Sequence, residues 1–498
     1  MGHILSLMTF VPLIGALLIL LLPKGRDGLV KWVALATATV PLLFALGIWN
    51  QFERGTSEIQ FAERTSWINF TADFAGRQVP LNIEYYMGID GLSVSMVLLT
   101  ALLCVICMIA SWGITKWVKA YFALFLLLET GMIGVFCALD FFLFYVFWEV
   151  MLLPMYFLIG IWGGPRKEYA AIKFFLYTLA GSVLMLLAGI AMYYLADGSF
   201  DLIHMSVVLP QNPEAVALGK VLFIALFIGF AIKIPLFPFH TWLPDAHVEA
   251  PTAVSVILAG VLLKMGAYGI LRICYPIFPE ATQWFAPALA TLGVVNIIYG
   301  AMCAMAQKDF KKLVAYSSIS HMGYVCLGMA ALTPQAVSGA VMQMFNHGTI
   351  TAMLFLLVGV VYDRVHHRDI ERFGGLRLQT PVYAGVVMLA FFAALGLPGL
   401  SGFWGEAFVF LGALPTFKYL TITALLGIVL GAAYILWTYE RVFLGPLNEK
   451  YKDLTDINAR ELVCLAPLAV LVIYLGVYPQ PLLELLDATL VDLVRGIL

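Results

Sequence analysis

The chain has 498 residues, of which 62% are hydrophobic and 12% are charged, and its formal net charge is −2. Soluble domains carry about 25% charged residues, so this composition excludes an ordinary soluble protein and indicates an integral membrane protein. The net charge also lacks the basic excess that attracts nucleic acid, so the expected partner is the lipid bilayer.

Long apolar segments recur along the chain and predict its membrane spans. A helix crosses the hydrocarbon core of a bilayer with about 20 apolar residues. Two connections, 53–88 and 197–216, are long and lie outside the membrane. The predicted fold class is an all-α polytopic membrane protein with fourteen spans: 4–22, 30–52, 90–111, 118–138, 141–161, 169–196, 217–238, 250–274, 284–306, 311–331, 336–362, 380–412, 419–444 and 461–478.

The connection 53–88 has a different pattern from the spans around it. In VPLNIEYYMG, apolar residues at every second position alternate with mostly polar neighbours, as in a half-buried strand. We therefore expect a short hairpin on the outer surface. The C-terminal stretch PLLELLDATLVDLVRGIL has the pattern of an amphipathic helix that lies along the same interface.

The Lys and Arg residues of the loops predict the orientation, because cytoplasmic loops are enriched in them. If the loop after the first span is cytoplasmic and the sides alternate, that side collects 19 of the 28 Lys and Arg residues and the opposite side collects 7. The remaining two, Lys233 and Lys264, lie within spans. With fourteen spans, both termini face the outer, periplasmic side of an inner (cytoplasmic) membrane.

Ionisable residues within the predicted spans are the candidate functional residues, because a lone charge there costs about 2.5–3.5 kcal/mol. Each has a structural alternative, such as anchoring a helix pair or forming a packing hydrogen bond. As a set of mixed sign, they indicate a hydrated or mutually paired chain that carries protons. The set comprises Glu129, Glu149, Lys233, Lys264, His321, His347 and Glu406.

Two predicted spans are interrupted beside these charges. Pro235 and Pro238 follow Lys233, and proline removes a backbone donor and clashes with the preceding turn. In LGLPGLSGFWGE, four glycines surround Pro398 just before Glu406. This run lacks the GK[ST] ending of a phosphate loop. Non-helical backbone at membrane depth is tolerated where it is buried in protein or lines a water-filled cavity, so both breaks mark positions where a proton carrier could reach water.

The breaks also predict how the chain is organised. Two interrupted spans at matching places indicate inverted repeats, here spans four to eight and nine to thirteen, each broken in its fourth member. The predicted domains are the first three spans with the outer-side loop, the first five-helix repeat, the second repeat, and the last span with the amphipathic helix. Their boundaries are 1–116, 117–276, 277–445 and 446–498.

No cofactor motif is expected to operate in this chain. Cys104 and Cys107 form a C-x-x-C, but no second Cys/His pair flanks it in a polar loop. Apolar packing residues are therefore favoured over a metal or redox site. We expect no metal, nucleotide or haem in the chain itself.

This chain resembles a known protein family along essentially its whole length. Residues 233–272, KIPLFPFHTWLPDAHVEAPTAVSVILAGVLLKMGAYGILR, are similar to the signature of the antiporter-like membrane subunits of respiratory complex I, the proton-translocating NADH-quinone oxidoreductase. The chain is most similar to the M type. It stops soon after its fourteenth span, whereas the L type extends into a lateral helix, and it carries Glu406 where the L and N types carry lysine.

The resemblance implies a role for each residue of the proton chain. Glu129 and His240 are secondary candidates. His240 lies with Asp245 and His247 in the loop after the first break, and we interpret all three as structural or hydrogen-bonding residues first and proton entry second. The implied relay consists of Glu149 and Lys233 as the input pair, Lys264 as the central relay, His321 and His347 as its continuation, and Glu406 as the terminal carboxylate.

The resemblance further implies an enzyme complex in which this chain performs no redox chemistry. Quinone reduction elsewhere would drive proton movement, with flavin, iron–sulfur clusters and quinone held by partner subunits, and L- and N-type subunits among the neighbours. One alternative is a sodium/proton antiporter subunit of the related Mrp type. Another is a structural membrane spacer, against which the buried charges argue. The proteins that copurify with this chain would distinguish a complex I subunit from an Mrp-type antiporter subunit.

Overall fold

The computed structural model describes residues 2–74 and 77–498, so residues 75–76 of the predicted hairpin lie outside the described residues. Helices dominate the structure. They are α1 Ile4–Leu21, α2 Asp27–Gln51, α3 Gly91–Ala110, α4 Val118–Cys137, α5 Phe141–Val150, α6 Leu152–Trp162, α7 Lys167–Leu195, α8 Leu202–Val208, α9 Pro213–Lys233, α10 Trp242–Glu249, α11 Thr252–Ile257, α12 Leu263–Gly269, α13 Tyr275–Ile277, α14 Pro279–Met305, α15 Phe310–Ala330, α16 Pro334–Val365, α17 Pro381–Ala394, α18 Ser401–Ala413, α19 Lys418–Ala424, α20 Leu426–Phe443, α21 Ala459–Val477 and α22 Gln480–Ile497.

Twelve helical segments of the described chain are long and apolar enough to cross a membrane, which confirms a mostly helical polytopic membrane protein. Two of the predicted spans, 311–331 and 380–412, are not among them. The first is α15, a helix of 21 residues whose lysines, serines and histidine lower its hydropathy. The second is divided into α17 and α18. The twelve are α1, α2, α3, α4, α5–α6, α7, α9, α11–α13, α14, α16, α19–α20 and α21.

Both predicted helix breaks are present. Helix α9 ends at Lys233, and α10 begins at Trp242 after a segment that contains the two prolines. Helix α17 ends at Ala394, and α18 begins at Ser401. In the second break Gly396 has φ +77°, a left-handed conformation that glycine adopts without steric cost.

The centre of the bundle consists of α11–α13 and α16, and in both segments the most apolar stretch of 18 residues is 100% buried inside the protein. The segment α11–α13 is one continuous helix with two π-helical turns, Leu258–Leu262 and Ile270–Cys274. A π-helical turn disturbs the regular ladder of backbone hydrogen bonds, and such turns are frequent at functional sites. The predicted relay residues Lys264 and His347 lie on these two central helices.

The connections gather at two ends of the bundle. At the basic end, which comprises the loops 22–26, 163–166 and 366–380, Arg364 lies 2.8 Å from Glu461. At the hairpin end, where the two β-strands lie, Arg64 lies 2.9 Å from Asp201. Further lysine and arginine contacts lie at the basic end: Lys116 Nζ donates to the Ile161 carbonyl at 3.3 Å, and Arg368 Nη1 donates to the Val248 carbonyl at 2.6 Å.

The segment 53–88 forms an antiparallel hairpin of β1 (Gln60–Phe74) and β2 (Arg77–Ile89). With strands of 15 and 13 residues, it is longer than the short hairpin expected from sequence. The difference arises because a complete second strand, β1, precedes the recognised pattern and pairs with β2 from Gln60↔Ile89 onwards.

Candidate functional site

Lys264 and His347 are in direct contact at the centre of the bundle. The Lys264 Nζ donates to His347 Nδ1 at 2.6 Å and to the Ala259 carbonyl at 2.5 Å. Ala259 belongs to the first π-helical turn, where the irregular backbone leaves a carbonyl available to the lysine. When Lys264 is protonated it has donors only, so His347 Nδ1 then accepts and the neutral ring carries its proton on Nε2.

A second histidine continues from this contact. The rings of His347 and His321 have centroids 5.6 Å apart and are inclined by 44°. Within the described chain, neither Nε2 atom has a hydrogen-bond partner, and both atoms are buried. Each ring therefore presents one nitrogen to a protein contact and keeps the other available for proton exchange.

Glu406 ends this series of contacts. Its Oε1 lies 3.4 Å from His321 Nδ1, which also contacts Gln343 Nε2 at 3.4 Å. The loop of the second break approaches the carboxylate closely: a Cβ on Gly396 would lie 2.8 Å from Glu406 Oε2. The broken helix thus carries Glu406 on α18 and places a glycine beside it. The order along the series is Lys264, His347, His321, Glu406.

The predicted input pair, Glu149 and Lys233, is not joined by a hydrogen bond. Among the described residues, neither Lys233 Nζ nor Glu149 Oε1 has a hydrogen-bond partner. The ammonium lies instead 5.0 Å from the centre of the Trp148 ring and 5.7 Å from that of Phe174. Cation–π contact stabilises a desolvated ammonium by about 2 kcal/mol. Glu149 remains close enough to Lys233 for an electrostatic interaction.

Asn296 holds the first helix break in place. Its Nδ2 donates to the Pro235 carbonyl at 3.1 Å, and its Oδ1 accepts from the Phe237 N–H at 2.8 Å. Trp242 Nε1 donates to the Ile232 carbonyl at 2.9 Å. These side chains satisfy backbone groups that the break leaves without helical partners. The sequence analysis missed Asn296, although a lone asparagine in the apolar segment LGVVNIIYG was a usable signal.

A similar contact supports the second break. The Asn346 Nδ2 on α16 donates to the Ser401 carbonyl at 2.7 Å. Ser401 is the first residue of α18, and Asn346 directly precedes the relay residue His347 in the chain. One turn of α16 therefore contacts both the central lysine and the helix that carries Glu406.

The secondary candidate Glu129 has no hydrogen bond to any residue of this series. It is fully buried on α4, and both carboxylate oxygens lack hydrogen-bond partners among the described residues. Its electrostatic neighbours are Cys104 and Cys107 on α3. Those cysteines are buried free thiols, and Cys107 Sγ donates to the Ala253 carbonyl at 3.4 Å.

The polar residues after the first break have distinct environments. His240 Nε2 lies 3.3 Å from the Tyr299 hydroxyl, a hydrogen-bonding contact. Asp245 pairs with Lys173 at 2.7 Å and so connects α10 to α7. His247 is fully buried and stacks on Phe355 with ring centroids 4.5 Å apart.

Comparison with known proteins identifies the family. Residues 138–431 match the family model described as NADH:quinone oxidoreductase/Mrp antiporter, TM, and residues 58–139 match NADH-ubiquinone oxidoreductase chain 4, amino terminus. NADH-quinone oxidoreductase subunit M from Rhodobacter capsulatus is 43% identical over an alignment that covers 100% of this chain and 97% of the relative. The chain belongs to the NADH-quinone oxidoreductase subunit M family. The family indicated by residues 233–272 is thereby confirmed.

Solved structures agree with membership of the subunit M family. A chain of respiratory complex I from Thermus thermophilus has a TM-score of 0.84 and 30% identity, with 99% of both chains covered. A chain of the Mrp complex from Dietzia sp. has a TM-score of 0.82 and 22% identity, with 100% of both chains covered. The second likeness establishes a shared fold only. The family assignment therefore favours subunit M over the Mrp alternative.

Proposed function

We propose that this member of the subunit M family carries protons through the membrane as part of NADH-quinone oxidoreductase, driven by quinone reduction in other subunits. The observation that carries the proposal is the series of neighbouring side chains from Lys264 through His347 and His321 to Glu406, in which the two imidazole rings have centroids 5.6 Å apart. Its members are buried, and they lie on four different helical segments. Ionisable residues inside membrane helices mark ion pathways.

The geometry of the series permits directed proton transfer. Lys264 gives a proton to His347 Nδ1, and the imidazolium that forms releases its other proton from Nε2. His321 accepts that proton on Nε2 and passes the proton of Nδ1 to Glu406. Each histidine thus receives on one nitrogen and releases from the other, directly or through a water. Each ring must regain its starting tautomer before the next proton follows.

In the first half, Glu149 and Lys233 act as the input pair. Lys233 lies over two aromatic rings at the broken end of α9, where water can enter beside the non-helical segment. A carboxylate that approaches an ammonium stabilises its charged form, and one that withdraws favours proton release. Movement of the Glu149 side chain, or protonation of its carboxylate, thus determines when Lys233 passes a proton towards Lys264. Glu129 and His240 remain secondary candidates.

The two halves of the chain are proposed to be inverted repeats, 117–276 and 277–445, within a protein of fourteen spans. Matching contacts support this arrangement. In the first half, Asp140 caps the second helical segment, and its backbone forms an isolated antiparallel β-bridge with Asp201, which follows the third helical segment. In the second half, Asp309 caps the second helix, and its backbone forms the corresponding β-bridge with Asp369, which follows the third helix. The first bridge lies at the hairpin end and the second at the basic end, as inversion requires.

The basic end is proposed to face the cytoplasm, because it collects 19 of the 28 Lys and Arg residues. The β-hairpin, the amphipathic α22 and both termini then lie on the periplasmic side of the inner membrane. The remaining proposed domains are 1–116 and 446–498, which contain the three spans before the repeats and the last span.

The partners are proposed to be the other subunits of complex I, including the L- and N-type antiporter-like subunits. Flavin, iron–sulfur clusters and quinone would be held by those partners. An Mrp-type sodium/proton antiporter remains the alternative, supported by the family model that both groups share. Subunits that copurify with the chain from native membranes would distinguish the two assemblies.

The variant Glu406→Gln tests the proposal, because it keeps the shape and an oxygen acceptor but cannot carry a proton. We expect a normally assembled complex that loses most of its pumping and coupled turnover. The measurement is the number of protons translocated per electron, with Glu440→Gln on the exposed face of α20 as the control. An unchanged ratio at unchanged turnover would leave Glu406 only a structural role near the start of α18.

A further inference from the structure

A column of polar side chains leads from Lys264 towards the hairpin end of the same helix. Lys264, Tyr268 and Arg272 are spaced by four residues, which places them on one helical face. The fully buried Tyr268 hydroxyl donates to the Phe136 carbonyl at 3.0 Å. It accepts from Arg272 Nε at 3.2 Å and lies 3.0 Å from Ser93 Oγ. Lys264 Nζ is not hydrogen-bonded to Tyr268, so the hydrogen-bonded cluster of Tyr268, Ser93 and Arg272 becomes a potential route for protons out of the relay when water bridges that gap.

Arg272 places a positive charge at the hairpin end of this cluster. Its Nη2 donates to Asp90 Oδ1 at 2.5 Å and to Ser93 Oγ at 3.2 Å. The Arg272 side chain is 11% exposed and that of Asp90 is 3% exposed, so the ion pair is largely desolvated. Asp90 is also held in place, because Oδ1 accepts from the Ser93 N–H and caps α3.

The opposite end of the same helix is open. A cavity of about 430 Å³ at the basic end is lined by Thr252 and Ala253 of α11, and by the charged residues Lys311, Asp363 and Arg460. The helix that carries Lys264 therefore meets a polar cavity at one end and a hydrogen-bonded ion pair at the other. A central proton carrier that must not conduct straight across the membrane needs such an asymmetry.

We propose that Arg272 is a proton barrier that prevents the relay from leaking between Lys264 and the hairpin end. The inference rests on the proposed relay. A guanidinium does not release its proton in proteins, so it cannot serve as a carrier. A fixed cation in a narrow polar path excludes protons electrostatically, as an arginine does in water-selective channels. A proton on Lys264 is thereby directed sideways to His347.

The test measures passive proton leakage in lipid vesicles that contain the whole complex and no substrate. A potassium diffusion potential drives protons inward, and a pH-sensitive dye inside reports their entry. Eight residues of helix separate Arg272 from Lys264 by about 12 Å, so at an effective dielectric constant of about 20 the charge changes proton occupancy roughly tenfold. We expect Arg272→Gln to leak about tenfold faster than the unaltered complex.

Asp90→Asn is the matched control. It breaks the same ion pair but leaves the positive charge in place, and asparagine is still a good helix cap. We expect Asp90→Asn vesicles to be as tight as the unaltered ones. If both variants leak, a loosened helix contact explains the leakage and the barrier is refuted. If Arg272→Gln is tight, the barrier is likewise refuted.

A double variant covers the case in which Arg272→Gln does not assemble because Asp90 is left buried and unpaired. Arg272→Gln with Asp90→Asn removes both charges and leaves two amides that can hydrogen-bond, which is less disruptive than one orphaned charge. The double variant should leak faster than the unaltered complex because the guanidinium is gone, and adding Lys264→Met should abolish that leakage. Tight double-variant vesicles, or leakage that persists without Lys264, would overturn the inference. Failure of the relay itself appears separately, as normal pumping in Glu406→Gln.

Discussion

Replacing His347 by glutamine should interrupt proton transfer at the centre of the protein without removing support from Lys264. The amide oxygen can still accept from the lysine, so the buried ammonium keeps a second acceptor beside the Ala259 carbonyl. Glutamine cannot accept a proton on one atom and release another. The variant therefore separates the relay function of His347 from its role as a hydrogen-bond partner.

The size of the effect follows from the distances that the ring spans. Lys264 Nζ lies 2.6 Å from His347 Nδ1, and the His321 ring centre lies 5.6 Å from the His347 ring centre. A hydrogen bond to water covers roughly 2.8 Å, so about two ordered waters would have to replace the imidazole. Ordering them costs about 2–3 kcal/mol in total, which slows this transfer roughly 30- to 160-fold.

The assay is quinone reduction coupled to proton pumping in vesicles that contain the assembled complex. Because coupled turnover cannot exceed its slowest proton transfer, we expect both rates to fall by at least about tenfold. His367→Gln is the control, since His367 contacts the Tyr451 hydroxyl at 2.8 Å in a loop outside the series. Coupled rates in His347→Gln equal to those of the control would refute a relay through His347.

Three further variants or measurements test other parts of the account. The complex with Lys233→Ala should assemble but lose coupled quinone reduction and pumping. Glu149→Asp should lower pumping less than Glu149→Gln, because aspartate keeps the negative charge. Normal pumping by an assembled Lys233→Ala complex would contradict the role of Glu149 and Lys233 as the input pair. Membrane-impermeant labelling of a cysteine tag at each terminus should occur from the periplasmic side, and labelling of either terminus from the cytoplasm would exclude the proposed topology. Burial raises the pKa of Asp140 to about 6. Because the carboxyl of the unfolded chain titrates near pH 4, the folded protein binds the proton more tightly, and stability should fall by up to about 3 kcal/mol as pH rises from about 4 to 6. Thermal unfolding of Asp140→Asn, which retains the cap, should lack this slope, and an unchanged slope would assign it to other groups.

The positions of the helix breaks were predictable because proline and glycine act on the local backbone. Pro235 and Pro238 cannot continue a helix, and the structure ends α9 at Lys233. The groups that stabilise the breaks were harder to predict. Asn296 contacts the first break from a helix some 60 residues away in the chain, so its partner depends on tertiary packing rather than on any local pattern.

The membership of the candidate site was also easier to predict than its geometry. A charge inside an apolar span is visible in the sequence, which singled out Lys264, His347, His321 and Glu406. Their order is not visible, because it depends on how α12, α15, α16 and α18 pack around one another. The π-helical turn that gives Lys264 its second acceptor contains no proline, and its single glycine, Gly260, does not by itself mark a π-helical turn in the sequence. The family resemblance likewise implied Glu149 and Lys233 as an input pair, whereas the structure places Lys233 over aromatic rings without a hydrogen bond to Glu149.

The central claim is that this chain carries protons through Lys264, His347 and His321. Measuring whether Glu406 is protonated and deprotonated during turnover tests that claim most directly. Infrared difference spectra of the whole complex, recorded between resting and turning-over states, report carboxylic-acid C=O bands. We predict a band that shifts in heavy water, is absent from Glu406→Gln, and is lost from His347→Gln while Glu406 remains. Identical difference spectra for the unaltered complex and Glu406→Gln would show that Glu406 neither gains nor loses a proton, and would contradict the account.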